Sequence, residues 1–379
     1  MTKDANELRV LVLQGGGALG SYQAGAFEAL AEGGIEIDWL AGISIGAING
    51  AIICGNPPER RAERLTQFWR QTSSLLTASP IAKDDTSLRL FNESSAAMTA
   101  SFGVPGFFTP RAPPLIPGWP YKPSDLSLYD TSSLKETLLK LVDFDLLNAG
   151  RIRYCIGATN ARNGNFQYFD TKYHKIGPEH VMASGALPPG LPPIEIGGEF
   201  YWDGGLVSNT PLQYVLDLEG DHEDICVFQI DLFSAVGELP KTMLEVAQRE
   251  KDIRYSSRTR LNTDVERRRC AVRDAIHRFA ARLPPELRDD PDWRIVDDYG
   301  SPRATTIVHL IHRRALAESA SKDYEFSRNT MQRNWADGRM DVEKTLTHPE
   351  WVSRTRQRGG VKVFDLTLSR EERAANRTL

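Results

Sequence analysis

The feature that most constrains the fold is a succession of strand, glycine turn and helix that occurs twice before residue 55. Residues 8–13 (LRVLVL) form an apolar, β-branched run that ends at three glycines, and apolar residues then recur at helical spacing over residues 22–30. Residues 35–43 predict a second strand and residues 45–54 a helix of small apolar residues, with Ser44 at the turn between them. This order is typical of parallel strands covered by helices.

The alternation continues along the chain. Further strands are predicted at residues 152–159, 165–170 and 225–232, and helices at residues 58–73 and 132–141. We therefore expect an α/β fold with a mainly parallel central sheet and helices on both faces.

Residues 102–121 (FGVPGFFTPRAPPLIPGWPY) interrupt this pattern, because they hold too much proline and glycine for a regular element. We predict an irregular loop and a candidate lid. Its apolar side chains have alternative roles: to line a ligand channel, to cover it, to dip into an interface, or to pack on the core beneath a rigid loop. These side chains are Phe107, Phe108, Leu115, Ile116 and Trp119.

The character of the chain changes after about Leu239. A strand is predicted at residues 304–312 and a polar helix at residues 317–339, so we divide the chain into a main domain (8–235) and a mixed helical extension (236–379). Interspersed acids favour a solvated helix face for the arginines here, with a membrane surface or an acidic partner as the alternative. These arginines are Arg249, Arg254, Arg258, Arg260, Arg267, Arg268, Arg269 and Arg273.

Composition limits the class of protein. With 379 residues, 41% hydrophobic and 25% charged, the chain is typical of a soluble globular protein, and its net charge of -4 indicates no nucleic-acid partner. Its four cysteines are too dispersed for a disulfide framework or a zinc site. The amino terminus lacks a secretory signal, and no apolar run approaches the roughly 18 residues of a membrane span. We expect a cytoplasmic protein, with peripheral membrane contact left open.

The first glycine motif, GGGALG, has two interpretations. Gly15, Gly17 and Gly20 satisfy the GxGxxG pattern of dinucleotide-binding folds, and Asp38 lies about where such a fold places the acid that binds the ribose. A dinucleotide-binding oxidoreductase is therefore one hypothesis. Alternatively, the backbone N–H groups of the same glycines bind a carbonyl oxygen, because anion binding and oxyanion binding use the same unpaired donors at a helix start.

The second motif, GISIG, favours the oxyanion interpretation. A serine at a strand-to-helix turn presents its Oγ at the carboxyl edge of the sheet, as in a nucleophile elbow, and Gly42 and Gly46 fit a turn too crowded for side chains. The alternative is an ordinary turn in which Ser44 is incidental.

A serine nucleophile needs a base, and the seven histidines lie in no recognisable triad context. Asp203, in YWDGGLVSNTP, is the candidate, because the two glycines that follow leave its carboxylate room to approach another turn. An ordinary turn aspartate that caps local N–H groups is the alternative. As a base it would need partial burial, which raises the pKa of a carboxyl group.

The motifs GGGALG, GISIG and MASGALPPGLPPIEIGGEFYWDGGLVSNTPL together resemble the patatin-like phospholipase family, in particular bacterial members with a C-terminal extension, over about residues 8–233. The resemblance implies a three-layer α/β fold and a Ser-Asp dyad, with Ser44 as nucleophile and Asp203 as base. It assigns the oxyanion hole to the backbone of Gly15, Gly16 and Gly17. No metal or organic cofactor is expected.

The chain also departs from the family pattern. The family's glycine motif usually has Arg or Lys at its fifth position, whereas this chain has Leu19, which weakens the expectation of a strongly anionic headgroup. Ser184 is interpreted as a packing residue rather than a second nucleophile. Asn209 and Pro211 match the family and are expected to hold the DGG loop.

The function predicted from these motifs is that of a serine acyl hydrolase acting on lipid carboxylic esters, of the phospholipase A or lysophospholipase type. The expected partner is a lipid or acyl-ester substrate. A thioesterase or a storage-polyester hydrolase would use the same dyad, and a noncatalytic lipid-binding protein would keep the fold without the reaction. These motifs do not encode acyl length, headgroup, positional preference or oligomeric state.

Overall fold

The computed structural model describes residues 7–80, 84–218, 224–257, 259–299, 304–313, 321–355 and 360–368. Some residues named in the sequence predictions lie outside the described ranges. They include Arg258, His222 and the first part, 317–320, of the predicted polar helix.

The strands of the described residues belong to one large sheet and one small hairpin. The hairpin pairs β3 with β4. The strands are β1 (Glu7–Leu13), β2 (Trp39–Gly42), β3 (Thr109–Pro110), β4 (Tyr129–Asp130), β5 (Arg153–Asn160), β6 (Phe166–Asp170), β7 (Ile194–Ile196), β8 (Glu199–Asp203), β9 (Asp224–Asp231), β10 (Ala304–Ile311) and β11 (Gly360–Phe364).

The α-helices alternate with these strands in the first half of the chain and dominate the second half. Across the described ranges, none is both long enough and apolar enough to cross a bilayer. The helices are α1 (Gly20–Glu32), α2 (Ile45–Cys54), α3 (Arg61–Thr72), α4 (Asp85–Phe102), α5 (Ser132–Leu141), α6 (Phe144–Asn148), α7 (Pro178–Ser184), α8 (Leu212–Leu218), α9 (Met243–Tyr255), α10 (Thr259–Ala280), α11 (Pro291–Tyr299), α12 (Arg328–Thr347) and α13 (Pro349–Val352).

The large sheet has the strand order β11-β10-β9-β1-β2-β5-β8-β7, with β6 also paired to β5. Neighbours from β11 to β5 run parallel, and the pairings of β6, β7 and β8 are antiparallel. The predicted α/β class with a mainly parallel sheet is confirmed.

Both faces of the sheet are covered, because successive side chains of a strand point to opposite faces. In β1, Leu11 and Leu13 join the larger apolar cluster with α1 and α2, whereas Val10 and Val12 join a second cluster with α8. The strand therefore reads as a continuous apolar run, and the architecture has three layers, as predicted.

Several predicted boundaries are wrong. The second strand begins at Trp39 rather than at residue 35. Asp38 lies just before it: its N–H donates to the Arg9 carbonyl oxygen, and its carboxylate accepts a hydrogen bond from Arg9 N–H. The polar helix begins at Arg328, where the Ser327 hydroxyl caps it by accepting a hydrogen bond from Thr330 N–H. The sequence did not predict helices α4, α6, α7, α8, α11 and α13 or strands β3, β4, β7, β8 and β11.

The predicted boundary at residues 235 and 236 does not separate two sheets. β9 precedes it and β10 follows it, yet the two pair in parallel from Thr305 with Ile225 to Ile311 with Asp231. Helix α12 also packs along α1 so closely that a Cβ on Gly338 would lie 2.1 Å from the Tyr22 carbonyl oxygen. The segment predicted as an appendage is therefore part of the same sheet and the same core.

Candidate active site

Strand register brings the three sequence motifs to one level at the carboxyl edge of the sheet. Leu13 pairs with Gly42, and Gly42 pairs with Ile156, so Gly15 and Ser44 follow at the same height. Two residues beyond Ile156, Ala158 pairs with Asp203 at the end of the antiparallel strand β8. The chain thus brings a hydroxyl, a carboxyl group and a glycine turn to the same pocket.

Ser44 occupies a sharp turn between β2 and α2. Its backbone has φ 55° and ψ −122°, a left-handed conformation that side chains disfavour. The flanking glycines are required by contact: a Cβ on Gly42 would lie 2.5 Å from the Gly46 carbonyl oxygen, and one on Gly46 would lie 2.4 Å from that of Leu13. The GxSxG pattern is therefore explained by the packing of the turn against β1.

The glycine turn after β1 offers two N–H donors rather than the three predicted. Gly15 N–H donates to the Asn209 carbonyl oxygen at 3.2 Å. Within the described part of the chain, no acceptor lies in hydrogen-bond range of Gly16 or Gly17 N–H, and both residues line the pocket beside Ser44. They stand just before α1, where the helix dipole adds partial positive charge. Gly15 shapes the turn instead.

Asp203 is buried, with 3% of its surface exposed, and burial raises its pKa to about 7. The nearby Ser44 side chain and the hydrogen bond from Gly205 N–H, at 2.6 Å, partly oppose this rise by favouring the charged form. A Cβ on Gly204 would lie 2.5 Å from the Gly157 carbonyl oxygen, so the residue after Asp203 must be glycine for β8 to approach β5. Asp203 therefore lies near Ser44 and lines the same pocket.

Two polar side chains brace this arrangement. The Ser184 hydroxyl accepts a hydrogen bond from Ser44 N–H at 3.0 Å and donates one to the Gly157 carbonyl oxygen at 2.7 Å. The Asn209 amide donates to the carbonyl oxygens of Gly15, at 3.1 Å, and Tyr255, at 2.9 Å. Both side chains hold backbone groups in place, and Asn209 also lines the pocket.

The geometry disfavours the dinucleotide interpretation. Asp38 precedes β2 and binds Arg9 N–H, so it lies at the end of the sheet opposite the glycine turn, where it cannot reach a ribose bound there. Leu19, which replaces the family's cation, is buried in the core. Of the histidines that the structure describes, none lines the pocket.

The pocket beside Ser44 has a volume of about 720 Å³, including the space open to solvent at its mouth, and its walls are mainly apolar. Of the loop side chains predicted to contact lipid, Phe107 and Phe108 are buried and line it. Leu115 is half-buried, whereas Ile116 and Trp119 are 64% and 66% exposed. The loop therefore divides its apolar side chains between the pocket and the surface.

Sequence reasoning missed one wall of the pocket. Tyr255, Asp323, Tyr324 and Phe326 line it, and all four belong to the segment after residue 236. The only local signal is the pair of aromatics in DYEF, within a stretch whose polar pattern predicted a helix. These residues reach the pocket through contacts with residues more than 200 positions earlier, such as Phe326 with Phe107, and no local sequence pattern reveals such contacts.

Comparison with known proteins gives two family matches. The model of the patatin-like phospholipase family matches residues 11–216, more than half of the chain, and a second model, described as patatin phospholipase, matches residues 253–358.

Individual proteins match more weakly. The neuropathy target esterase sws of Drosophila willistoni is 46% identical over 67 residues, which are 18% of this chain and 4% of that protein, and the Drosophila melanogaster protein is 43% identical over the same length. The chain thus matches only about 4% of the length of these curated relatives. Among solved structures, VipD from Legionella pneumophila has a TM-score of 0.39 at 13% identity, covering 89% of this chain and 66% of that one. Human GIVD cytosolic phospholipase A2 has a TM-score of 0.34 at 13% identity, covering 60% and 43%.

Proposed function

Because this chain belongs to the patatin-like phospholipase family, we propose that it is a serine acyl hydrolase that cleaves lipid carboxylic esters, of the phospholipase A or lysophospholipase type. One observation carries the proposal. Ser44 lies near the buried Asp203 and the N–H groups of Gly16 and Gly17, in a pocket with apolar walls.

In the proposed reaction, the ester carbonyl oxygen binds Gly16 and Gly17 N–H, and the carbonyl carbon lies over the Ser44 Oγ. Asp203 accepts the hydroxyl proton as the Oγ attacks, and the N–H groups stabilise the tetrahedral oxyanion. One good donor of this kind contributes about 3 to 4 kcal/mol to transition-state stabilisation. Collapse of the intermediate returns the proton to the leaving oxygen, releases the alcohol and leaves an acyl-serine.

Water completes the cycle. It attacks the acyl carbon while Asp203 again accepts the proton, and collapse of the second tetrahedral intermediate releases the fatty acid and restores the Ser44 hydroxyl. A carboxylate with an ordinary pKa near 3.9 is too weak a base at neutral pH, so the raised pKa of Asp203 suits this role.

The test is to assay Ser44→Ala and Asp203→Asn on lipid and soluble esters. Each variant should remain folded and lose at least a thousandfold in kcat/KM, because each removes one half of the reacting pair. A fluorophosphonate should label wild-type protein on Ser44 but not on Ser184. Ser208→Ala is the matched control and should keep wild-type turnover, since the Ser208 hydroxyl donates to the Thr210 carbonyl oxygen and Ser208 does not line the pocket beside Ser44. Substantial turnover by either dyad variant would contradict the proposal.

We also propose a cytoplasmic location with peripheral contact to lipid surfaces. The exposed side chains of Ile116 and Trp119 support the contact with lipid surfaces, because they lie on the loop that also supplies Phe107 and Phe108 to the pocket. Sedimentation with phospholipid vesicles should fall for Ile116→Ser with Trp119→Ser, whereas hydrolysis of a soluble short ester should not change. Equal sedimentation of variant and wild type would contradict the membrane contact.

A further inference from the structure

Residues 321–328, which we call the strap, supply part of the wall of the pocket. Asp323, Tyr324 and Phe326 of the strap line the pocket. The strap lies on the segment after residue 236, whereas Ser44 and Asp203 lie before it. The wall of the site is therefore formed by two distant parts of the chain.

The far end of the strap is fixed to α3 and the residues that follow it. The Arg328 guanidinium donates to the Ser73 hydroxyl at 2.8 Å and to the Arg70 carbonyl oxygen at 2.7 Å. Arg328 N–H donates to the Leu76 carbonyl oxygen at 2.9 Å. These three contacts hold the strap where it enters α12.

The near end is fixed to α9 by two crossed ion pairs. Lys251 of α9 binds Asp323 at 2.5 Å, and Asp252 of α9 binds Lys322 at 2.9 Å. All four side chains are at most 20% exposed, so the loss of one partner would leave a poorly solvated charge. Each lysine also lies over a ring that lines the pocket: Lys251 over Tyr324 at 5.1 Å and Lys322 over Phe233 at 5.5 Å.

The strap contacts both the oxyanion turn, by which we mean Gly16 and Gly17, and the apolar wall formed by Phe107 and Phe108. A Cβ on Gly17 would lie 2.2 Å from the Asp323 carbonyl oxygen, so the two backbones are in direct contact. The ring of Phe326, which is 6% exposed, lies 6.1 Å from that of Phe107 and 6.5 Å from that of Phe108. Movement of the strap would therefore change both the amide positions and the width of the apolar cavity.

We propose that the strap is the specificity wall of the active site: one unbranched aliphatic acyl chain lies against the packed rings of Phe326, Phe107 and Phe108, and the crossed ion pairs hold this wall against Gly17. The proposal rests on the proposed function. Phe326 is then a specificity residue, whereas Lys251, Asp252, Lys322 and Asp323 are positioning residues.

The first test measures kcat/KM for soluble esters with straight and 2-methyl-branched acyl groups of increasing length. Phe326→Ala should raise the ratio for branched over straight chains by about tenfold, because a one-methyl difference in an apolar pocket changes discrimination by about that factor or more. Phe326→Leu should give a smaller change in the same direction. Phe364→Ala is the matched control, since it removes a buried phenyl ring that packs on Trp351 instead of lining the pocket, and its ratio should equal that of wild type.

The second test exchanges the charges of the pair that does not line the pocket. Asp252→Lys and Lys322→Asp should each lower kcat about tenfold and alter the chain preference, because each places like charges together. The double variant restores opposite charges and should recover to within about threefold of wild type. Such rescue would not follow if the two residues acted independently.

The outcomes separate the two proposals. Fluorophosphonate labelling of Ser44 in the wild-type protein tests the hydrolase, and failure of labelling together with absent turnover would overturn it. If labelling and turnover persist while Phe326→Ala and Phe326→Leu leave the chain preference unchanged, the strap proposal is wrong and the hydrolase stands. Absence of rescue in the double variant would equally overturn the positioning role of the ion pairs.

Discussion

Ser44 is held in a backbone conformation that its own Cβ disfavours, and this strain belongs to the turn rather than to the hydroxyl. Such a conformation costs about 1–3 kcal/mol, and glycine adopts it without that cost. Glycine also loses more entropy on folding, which offsets part of the gain. The strain is what exposes the Oγ at the edge of the sheet.

We therefore predict that the free energy of unfolding of Ser44→Gly is about 1 kcal/mol higher than that of Ser44→Ala. Urea unfolding of both variants measures this difference. Both variants lack the hydroxyl and should be inactive, so the comparison isolates the backbone. Equal stabilities would show that the turn relaxes once the hydroxyl is removed.

The raised pKa of Asp203 predicts how activity depends on pH. The carboxylate must be ionised to accept the Ser44 proton, and its pKa of about 7 means that it is protonated in acid. The kcat/KM for a neutral ester should therefore fall tenfold per pH unit below about 7 and level off above it. A profile that stays flat down to pH 5 would mean that Asp203 is ionised throughout, or that another group is the base.

The residues of the proposed dyad were identified from the short motifs that contain them. A strand followed by GISIG places Ser44, and DGG places Asp203, through glycines whose missing side chains permit the close contacts. The engagement of Gly15 N–H by Asn209, 194 residues away, was not predictable from any local pattern. The sequence therefore indicated the kinds of group in the site but not every hydrogen bond.

Helices and strands followed the sequence where one face is clearly apolar. The helix predicted at residues 132–141 is α5, Ser132–Leu141, whose buried side chains recur at helical spacing. Helix α4, in contrast, carries a mixed pattern, and the short strands β7 and β8 lie in a stretch rich in glycine and proline. β8 pairs with β5, which comes some forty residues earlier, and β7 pairs with β8.

The packing of α12 on α1 depends on two glycines. A Cβ on Gly25 would lie 2.0 Å from the Trp335 carbonyl oxygen, and one on Gly338 would lie 2.1 Å from that of Tyr22, so the two backbones touch. The Tyr22 hydroxyl also donates to Asp341 at 2.8 Å, and Arg339 binds Glu28 at 2.7 Å. Because α1 begins directly after the glycine turn that lines the pocket, this contact helps to hold the turn in place.

We predict that Gly338→Val lowers the free energy of unfolding by more than about 3 kcal/mol, because the helices must separate to admit the side chain. Gln332→Val is the matched control. It places valine at an exposed position of the same helix and should lower the free energy of unfolding by less than about 1 kcal/mol. Urea unfolding of both variants measures the difference. A similar small loss in both would mean that α12 does not pack tightly on α1.

The two halves of the chain form one structure, although different family models match them. Strands β10 and β11 extend the sheet beyond β9, and α12 covers α1. The segment after residue 236 also supplies one wall of the pocket. The sequence indicated the change in character near residue 239, but composition alone cannot show that a later strand returns to an earlier sheet.

We predict that residues 1–235 alone do not fold to the native state. Their expression would leave β9 as an open parallel edge, remove the partner of α1, and expose the apolar side chains that these elements bury. The fragment should aggregate, or show near-native far-UV but lost near-UV circular dichroism. The full-length chain, expressed and purified in parallel, is the control and should unfold cooperatively. If the 1–235 fragment is instead monomeric, unfolds cooperatively and hydrolyses esters at the full-length rate, the segment after residue 236 contributes neither to the core nor to the active site.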